Sequence, residues 1–159
     1  MLKIFLILFI TFNFNIVWAV TLEGRIVGIA DGDTITILDA SNMQYKIRLA
    51  GIDAPEKKQD FGNVSKRSLS DMVFNQQVKV DWDKSDRYGR LVGKVLLNGK
   101  DVNLEQIRLG MAWYYRKYKN ELVFDDRISY PQAEEDAMKK SFWTMALQPT
   151  YSPVGIPKI

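Results

Sequence analysis

The 159-residue chain contains no cysteine and no histidine. These absences exclude disulfides, thiol nucleophiles and thiolate metal sites, along with histidine general bases and histidine-bound zinc or iron. Any catalysis must run on carboxylates, guanidinium or ammonium groups, hydroxyls and metal held by oxygen. Such a ligand set suits hard cations, Ca²⁺ or Mg²⁺. Proline is scarce as well, and three of its five copies, Pro149, Pro153 and Pro157, fall in the last stretch, which reads as an irregular tail from about residue 144.

The N-terminus carries the long apolar run. Its core is Ile4 to Phe12, Lys3 is its one charge, and Val17-Trp18-Ala19 places small residues three and one before a cut. This is the build of a signal peptide over residues 1–19. The core is too short to span a bilayer, and Asn13 and Asn15 interrupt its extension. Without cysteine, a lipid anchor on that side chain is excluded. The expectation is an exported protein, periplasmic or secreted, free of the membrane after cleavage and built as a single domain over 20–159. The formal net charge is +3, but the signs are segregated: a basic middle segment lies between net-acidic ends, which points to an anionic partner for the middle.

From Thr21 to Leu97 the periodicity is mostly two. Leu22–Ala30, Thr34–Leu38, Tyr45–Leu49, Val78–Trp82 and Leu91–Leu97 read as five short strands, with Asp31-Gly32-Asp33 as the turn between the first two. Between the third and fourth, Val64, Leu69, Met72 and Val73 predict a helix over about Asn63–Phe74. A second helix is expected after Asn98-Gly99, with Asn103 as cap, Gln106 three residues on, and Gly110 as terminator. A third is expected from near Ser129-Tyr130-Pro131, with Glu134, Glu135 and Asp136 early, Lys139 and Lys140 late, and Trp143 at its end. Five strands with a helix between the third and fourth is the plan of an OB-type barrel: mainly β, α+β, with three helices.

Charge concentrates where these strands end. Phosphodiester hydrolysis without histidine needs oxygen ligands for a metal, a carboxylate to activate water, and fixed cations for the phosphoryl oxygens. Asp33 and Asp53 can serve as ligands, Glu56 as base, and Arg48 and Arg90 as clamps. Strict alternation would put Arg48 and Asp53 on opposite faces, so a bend at Gly51 is required to bring them together. Each piece alone has an ordinary structural reading, since Asp-Gly-Asp is a common turn and Arg90 could be a surface strand residue. Trp113-Tyr114-Tyr115-Arg116-Lys117-Tyr118 interleaves rings with cations, a pattern that stacks bases and holds phosphates; Trp113 is expected in the core, and Trp82 and Trp143 in packing. Lys57, Lys58, Arg87 and Lys117 supply diffuse attraction to a phosphate backbone.

The ordered combination resembles the thermonuclease family of staphylococcal-nuclease-like domains, and specifically its exported bacterial-type members. It is carried by IADGDTI at 29–35, IRLAGIDAPE at 47–56, DRYGRLVGKV at 86–95 and NGKDVNLEQIRLGMAWYY at 98–115. The resemblance implies the five-stranded OB barrel with three helices and a calcium-dependent nuclease acting on DNA and RNA, single strands preferred. It implies cleavage on the 5′ side of the phosphate, leaving 3′-phosphorylated ends. Asp33 and Asp53 match the calcium-binding aspartates, the carbonyl of Ala54 a third ligand, and Asp31 a nearby acidic residue. Arg48 and Arg90 match the phosphate-binding arginines, Glu56 the general base, and Tyr88 and Tyr118 the residues that contact the nucleotide. The departures are Ser141-Phe142-Trp143 in place of a glycine and leucine before tryptophan, a short Lys57–Asn63 loop, and a tail without a tryptophan-rich basic ending.

Two other readings use the same residues. A secreted OB-fold binding module for nucleic acid or glycan would keep the basic surface and Tyr118 without needing Asp33, Asp53, Arg48, Arg90 and Glu56 together. A structural calcium site would explain the aspartates and leave both arginines unaccounted for. The nuclease reading takes up all of them, as a monomer with no stable protein partner. Cleavage of the leader has a direct check: the intact mass of the exported protein should correspond to a chain beginning near Val20, and a mass that includes Met1 would refute it.

Overall fold

The computed structural model describes residues 20–140; the leader over 1–19, Trp143 and the proline-containing tail lie outside the described residues. Strand β1 (Val20–Ile29) is long enough to serve two neighbours. Its first half pairs antiparallel with β5 (Gln77–Ser85), and its second half with β2 (Thr34–Leu38). A register shift between Ile26 and Gly28 bends the strand where it passes from one partner to the other. Strand β2 continues antiparallel to β3 (Gln44–Leu49), and β5 to β6 (Leu91–Leu97). Parallel pairing of β3 with β6, through Ile47–Leu91, Arg48–Val92 and Leu49–Gly93, closes the circuit β1-β2-β3-β6-β5. This is the expected five-stranded barrel with α+β character. Closure leaves these strands without open edges.

Alternation sorts the barrel's side chains. Ile26, Ile35, Ile37, Ile47, Leu49, Val78, Val80 and Val95 are each at most 2% exposed and form the interior. Helix α1 (Gly62–Val73) contributes Leu69 and Val73 to the same core. Three two-residue strands escaped sequence reading because two residues carry no periodicity: β4 (Ile52–Asp53), β7 (Lys100–Asp101), and β8 (Trp113–Tyr114), which pairs with β4. Trp113 is 3% exposed, as expected for a core residue. The 3-10 segment Arg116–Glu121 follows.

Two helix starts differ from the sequence expectation. Helix α2 (Val102–Arg108) is capped by Asp101, whose carboxylate accepts from the Leu104 N–H at 2.9 Å. Asn103 lies inside the helix, fully buried, and its amide bonds the Val95 N–H and the carbonyls of Ala50 and Gly93. Side-chain amides satisfy turns as readily as helix ends, so Asn103 ties α2 to the seam between β3 and β6 instead of capping. Helix α3 (Phe124–Lys139) begins before Ser129 and carries Pro131 in its interior. Proline removes one helical N–H, but Asp125 and Asp126 in the first turn favour the earlier start. Arg127 pins that turn by donating to the carbonyls of Leu122 and Asn120. Tyr130 is fully buried and donates to Asp101 at 3.0 Å; burial raises its hydroxyl far above the usual tyrosine range, so it stays a donor.

Asn103→Leu keeps the volume but removes the partner of the Ala50 carbonyl and of the Val95 N–H, and one of two donors to the Gly93 carbonyl. It should lower stability by about 2–4 kcal/mol, read from urea unfolding. A loss within experimental error would show that the seam does not depend on this amide.

Candidate active site

The site grows from the turn that enters β2. Asp31 accepts the Asp33 N–H at 3.1 Å, and the Asp33 carbonyl accepts the Leu49 N–H at 2.8 Å. The loop is thus fixed to β3, and the Asp33 side chain is directed inward, 6% exposed. Gly32 must be glycine here, because a Cβ would stand 1.8 Å from Ser65 Oγ. The Asp33 carboxylate is held from several sides. Ala54 N–H donates to Oδ2 at 2.9 Å, Thr34 Oγ1 donates to Oδ1 at 3.0 Å, and Arg48 Nη2 lies 3.1 Å from Oδ2.

Gly51, at φ 73°, makes the bend that the sequence required. A Cβ there would also lie 2.8 Å from Leu122 Cδ1. The chain folds back so that Arg48 Nη1 donates to the carbonyls of Leu49 and Ile52, each at 2.8 Å. Nη2 meets Asp53 Oδ1 at 3.1 Å as well as Asp33. The guanidinium therefore spans two carboxylates that are 20 residues apart in the chain. Arg90 is held differently. Its Nε donates to Asp86 Oδ2 at 2.8 Å and its Nη1 to Thr34 Oγ1 at 3.2 Å, while the other Asp86 oxygen takes the N–H groups of Tyr88 and Arg90.

These groups open into one cleft of about 1080 Å³. Asp33, Asp53, Ala54, Arg48, Arg90 and Glu56 line it, and so do Arg87, Tyr88, Lys117 and Tyr118. Asp31 stands behind Asp33, outside the lining. Glu56 is exposed; Gln59 brackets its backbone, with Oε1 accepting the Glu56 N–H at 2.6 Å and its own N–H donating to the Glu56 carbonyl at 2.8 Å. Tyr88 is 68% exposed, with the Arg87 and Arg90 guanidinium carbons 4.8 and 5.5 Å from its ring centre. Tyr118 has the ammonium groups of Lys84 and Lys117 each 5.5 Å from its ring centre and meets Tyr115 edge to face. Thr34 and Gln59 were missed in the sequence. Thr34 reads as an ordinary β-branched strand residue, and Gln59 sits in a polar loop without periodicity.

Electrostatics mark the acidic side of the cleft. Burial pushes the Asp33 carboxyl up to about 7, against the lowering effect of Arg48 and with Asp31 adding to the rise. Burial also raises Asp53; Arg48 opposes it, and the negative charges of Glu56 and Asp31 reinforce it. Asp86 goes the other way, because the donors on its oxygens outweigh its desolvation. One guanidinium thus compensates Asp33 and Asp53 incompletely, and the remaining negative field suits a hard divalent cation. Among the described residues no three acidic side chains are gathered for a metal by themselves. A cation held by Asp33 and Asp53 must complete its shell with backbone, water or substrate oxygens, which Ca²⁺ and Mg²⁺ both accept. The contact made by Ala54 in the structure is its N–H to Asp33.

Residues 46–145 match the family model described as staphylococcal nuclease homologue. An uncharacterized endonuclease of Escherichia coli O157:H7 is 39% identical over 142 residues, covering 89% of this chain and 88% of its own. An uncharacterized endonuclease of Haemophilus influenzae is 43% identical over 116 residues, 73% of this chain and 62% of its own length. A micrococcal nuclease of Shigella flexneri is 40% identical over 110 residues, 64% of this chain and 62% of its own. The matched segments thus span a little under two thirds of the Haemophilus and Shigella proteins.

The elevated Asp33 value has a consequence for the metal-free protein. Between 3.8 and about 7 the folded state holds a proton that the unfolded chain has released, so the contribution of Asp33 to stability falls as pH rises through that window. Asp33→Asn cannot titrate. With chelator present, the melting temperature of the variant should gain on the parent's between pH 5 and pH 8; parallel profiles would show that Asp33 titrates normally.

Proposed function

The chain belongs to the family of staphylococcal nuclease homologues, a family of phosphodiester hydrolases, and on that premise we propose a calcium-dependent nuclease of DNA and RNA that prefers single strands and leaves 3′-phosphorylated ends. The observation that carries this reading is the convergence of Asp33, Asp53, Arg48, Arg90 and Glu56 on one cleft. A binding module has no use for that full set, and a structural calcium site has none for the arginines.

Bound calcium would neutralise and polarise the scissile phosphate, held by Asp33, Asp53 and the carbonyl of Ala54, with Asp31 keeping Asp33 in place. Glu56 takes a proton from the water that attacks phosphorus, on the side opposite the departing 5′ oxygen. Its exposed carboxylate keeps an ordinary base's access to water, while Gln59 holds its backbone still. Arg48 and Arg90 meet the charge that builds on the phosphoryl oxygens. Both enter the reaction already oriented, Arg48 by two carbonyls and Arg90 by Asp86 and Thr34, so little reorganisation is needed. Tyr88 and Tyr118 offer ring faces to unpaired bases, and Arg87 and Lys117 attract the backbone without reading sequence. Stacking of this kind requires bases out of a duplex, which supports the single-strand preference. The leader supports export to the periplasm or medium, and the protein acts as a monomer.

Cleavage of heat-denatured DNA should require calcium and stop with chelator. Arg48→Lys and Arg90→Lys keep the charge but lose the planar fork, and each should lower kcat by about 10²–10³. Glu56→Gln should lower it by about 10²–10⁴, with circular dichroism unchanged. DNA binding without cleavage, with or without calcium, would make the binding module the correct account. Near-parental rates in both lysine variants would remove the arginines from the chemistry.

A further inference from the structure

A single hydroxyl joins the acidic and basic halves of the cleft. Thr34 Oγ1 donates to Asp33 Oδ1 at 3.0 Å and accepts from Arg90 Nη1 at 3.2 Å. The two bonds are compatible at once. The hydroxyl has one proton, an ionised carboxylate can only accept it, and the lone pairs are then left for the guanidinium. Thr34 is 5% exposed and rigidly placed: its carbonyl accepts the Ala30 N–H at 2.8 Å, and it stands opposite Arg48 in the β2–β3 ladder. In the next pairing Arg48 stands opposite Val92, two residues beyond Arg90. One row across three strands therefore carries Thr34 and Arg48 and ends beside Arg90.

We propose that Thr34 is a positioning residue for the phosphodiesterase reaction, fixing the plane of the Arg90 guanidinium so that its remaining edge faces the scissile phosphate. Asp86 alone gives Arg90 one side-chain anchor, at Nε, about which the group can still swing. The hydroxyl of Thr34 is the second anchor, at Nη1, and together with the covalent attachment at Cδ the two anchors fix the plane. The same hydroxyl takes one Asp33 oxygen, so the cation-facing carboxylate and the phosphate-facing guanidinium are set relative to each other by one atom. The inference rests on the reading of Arg90 as a phosphate-binding group and adds to it the group that aims it.

The test is a double-mutant cycle on a single-stranded oligonucleotide with calcium, using Thr34→Val, Thr34→Ser, Arg90→Ala and the Thr34→Val/Arg90→Ala pair. Valine preserves shape and strand preference and removes the hydroxyl. Thr34→Val should lower kcat between about tenfold and a hundredfold, as expected for a misaimed group. Oligonucleotide affinity in chelator should stay at the parental value, and Thr34→Ser should restore the rate. In the Arg90→Ala background Thr34→Val should cost markedly less than in the parent, because the part that acts through Arg90 is gone and only the bond to Asp33 is left to lose. Penalties that multiply in the pair, or a serine variant as slow as the valine one, would overturn the positioning role while leaving Arg90 in the chemistry. A parental rate in Arg90→Ala would overturn the assignment of Arg90 itself, and the role of Thr34 with it. A fall in melting temperature and affinity that accompanies the loss of rate in Thr34→Val would show a structural role only.

Discussion

The guanidinium of Arg48 stands between two carboxylates inside a loop built around it, and the geometry of the cleft depends on that arrangement. Buried charge is costly unless it is paired and its remaining hydrogen bonds are met. Arg48 meets the condition with the carbonyls of Leu49 and Ile52 on one nitrogen and Asp33 and Asp53 on the other. The bend at Gly51 is what allows carbonyls on both sides of the turn to reach the same nitrogen. The same bend puts Asp53 in β4, whose pairing with β8 fixes its height over the barrel. Removing any one of these supports would leave a charge or a carbonyl stranded, so the loop holds one shape.

Barrel closure supplies the second constraint. The parallel pairing of β3 with β6 brings Arg48 beside Val92, and the tight turn before β6 then delivers Arg90 to the same end of the barrel. Asn103 holds this seam from α2 by bonding backbone on both sides of it, and Asp101 caps α2 while receiving the Tyr130 hydroxyl from α3. Besides the apolar residues they bury, α2 and α3 thus support the seam through polar groups. This explains how an exposed catalytic mouth can sit on a rigid scaffold. The reactive groups are at strand ends, but the backbone that carries them is hydrogen-bonded on more than one side.

The acidic and basic halves of the cleft have opposite electrostatic characters, each suited to its part in phosphodiester chemistry. Burial leaves Asp33 and Asp53 short of compensation, an environment that a divalent cation relieves. Arg90 is held by a carboxylate whose negative form is stabilised by the donors on its oxygens. Family membership and this division of charge support the same activity on separate grounds, one from sequence similarity and the other from the fields that the folded chain creates.

Sequence alone determined the five barrel strands, the barrel plan and the charged residues at the cleft, because period-two patterning and charge at strand ends are local properties of the chain. It also determined what was excluded, since a chain without cysteine or histidine has no thiolate or imidazole chemistry. The tertiary structure decided the rest. Asn103 was legible as a polar residue near a helix start but not as the tie across the β3–β6 seam, because that role depends on carbonyls 10 and 53 residues away. The start of α3 before Pro131 was set by Arg127 gripping the preceding turn, a contact that propensity does not encode. Thr34 could be read only as a strand residue, since its hydroxyl acquires a second function when barrel closure brings Arg90, 56 residues on, within hydrogen-bonding distance. Local patterning specifies which groups are present. Their distances come from long-range pairing, and the chemistry of the cleft depends on distance.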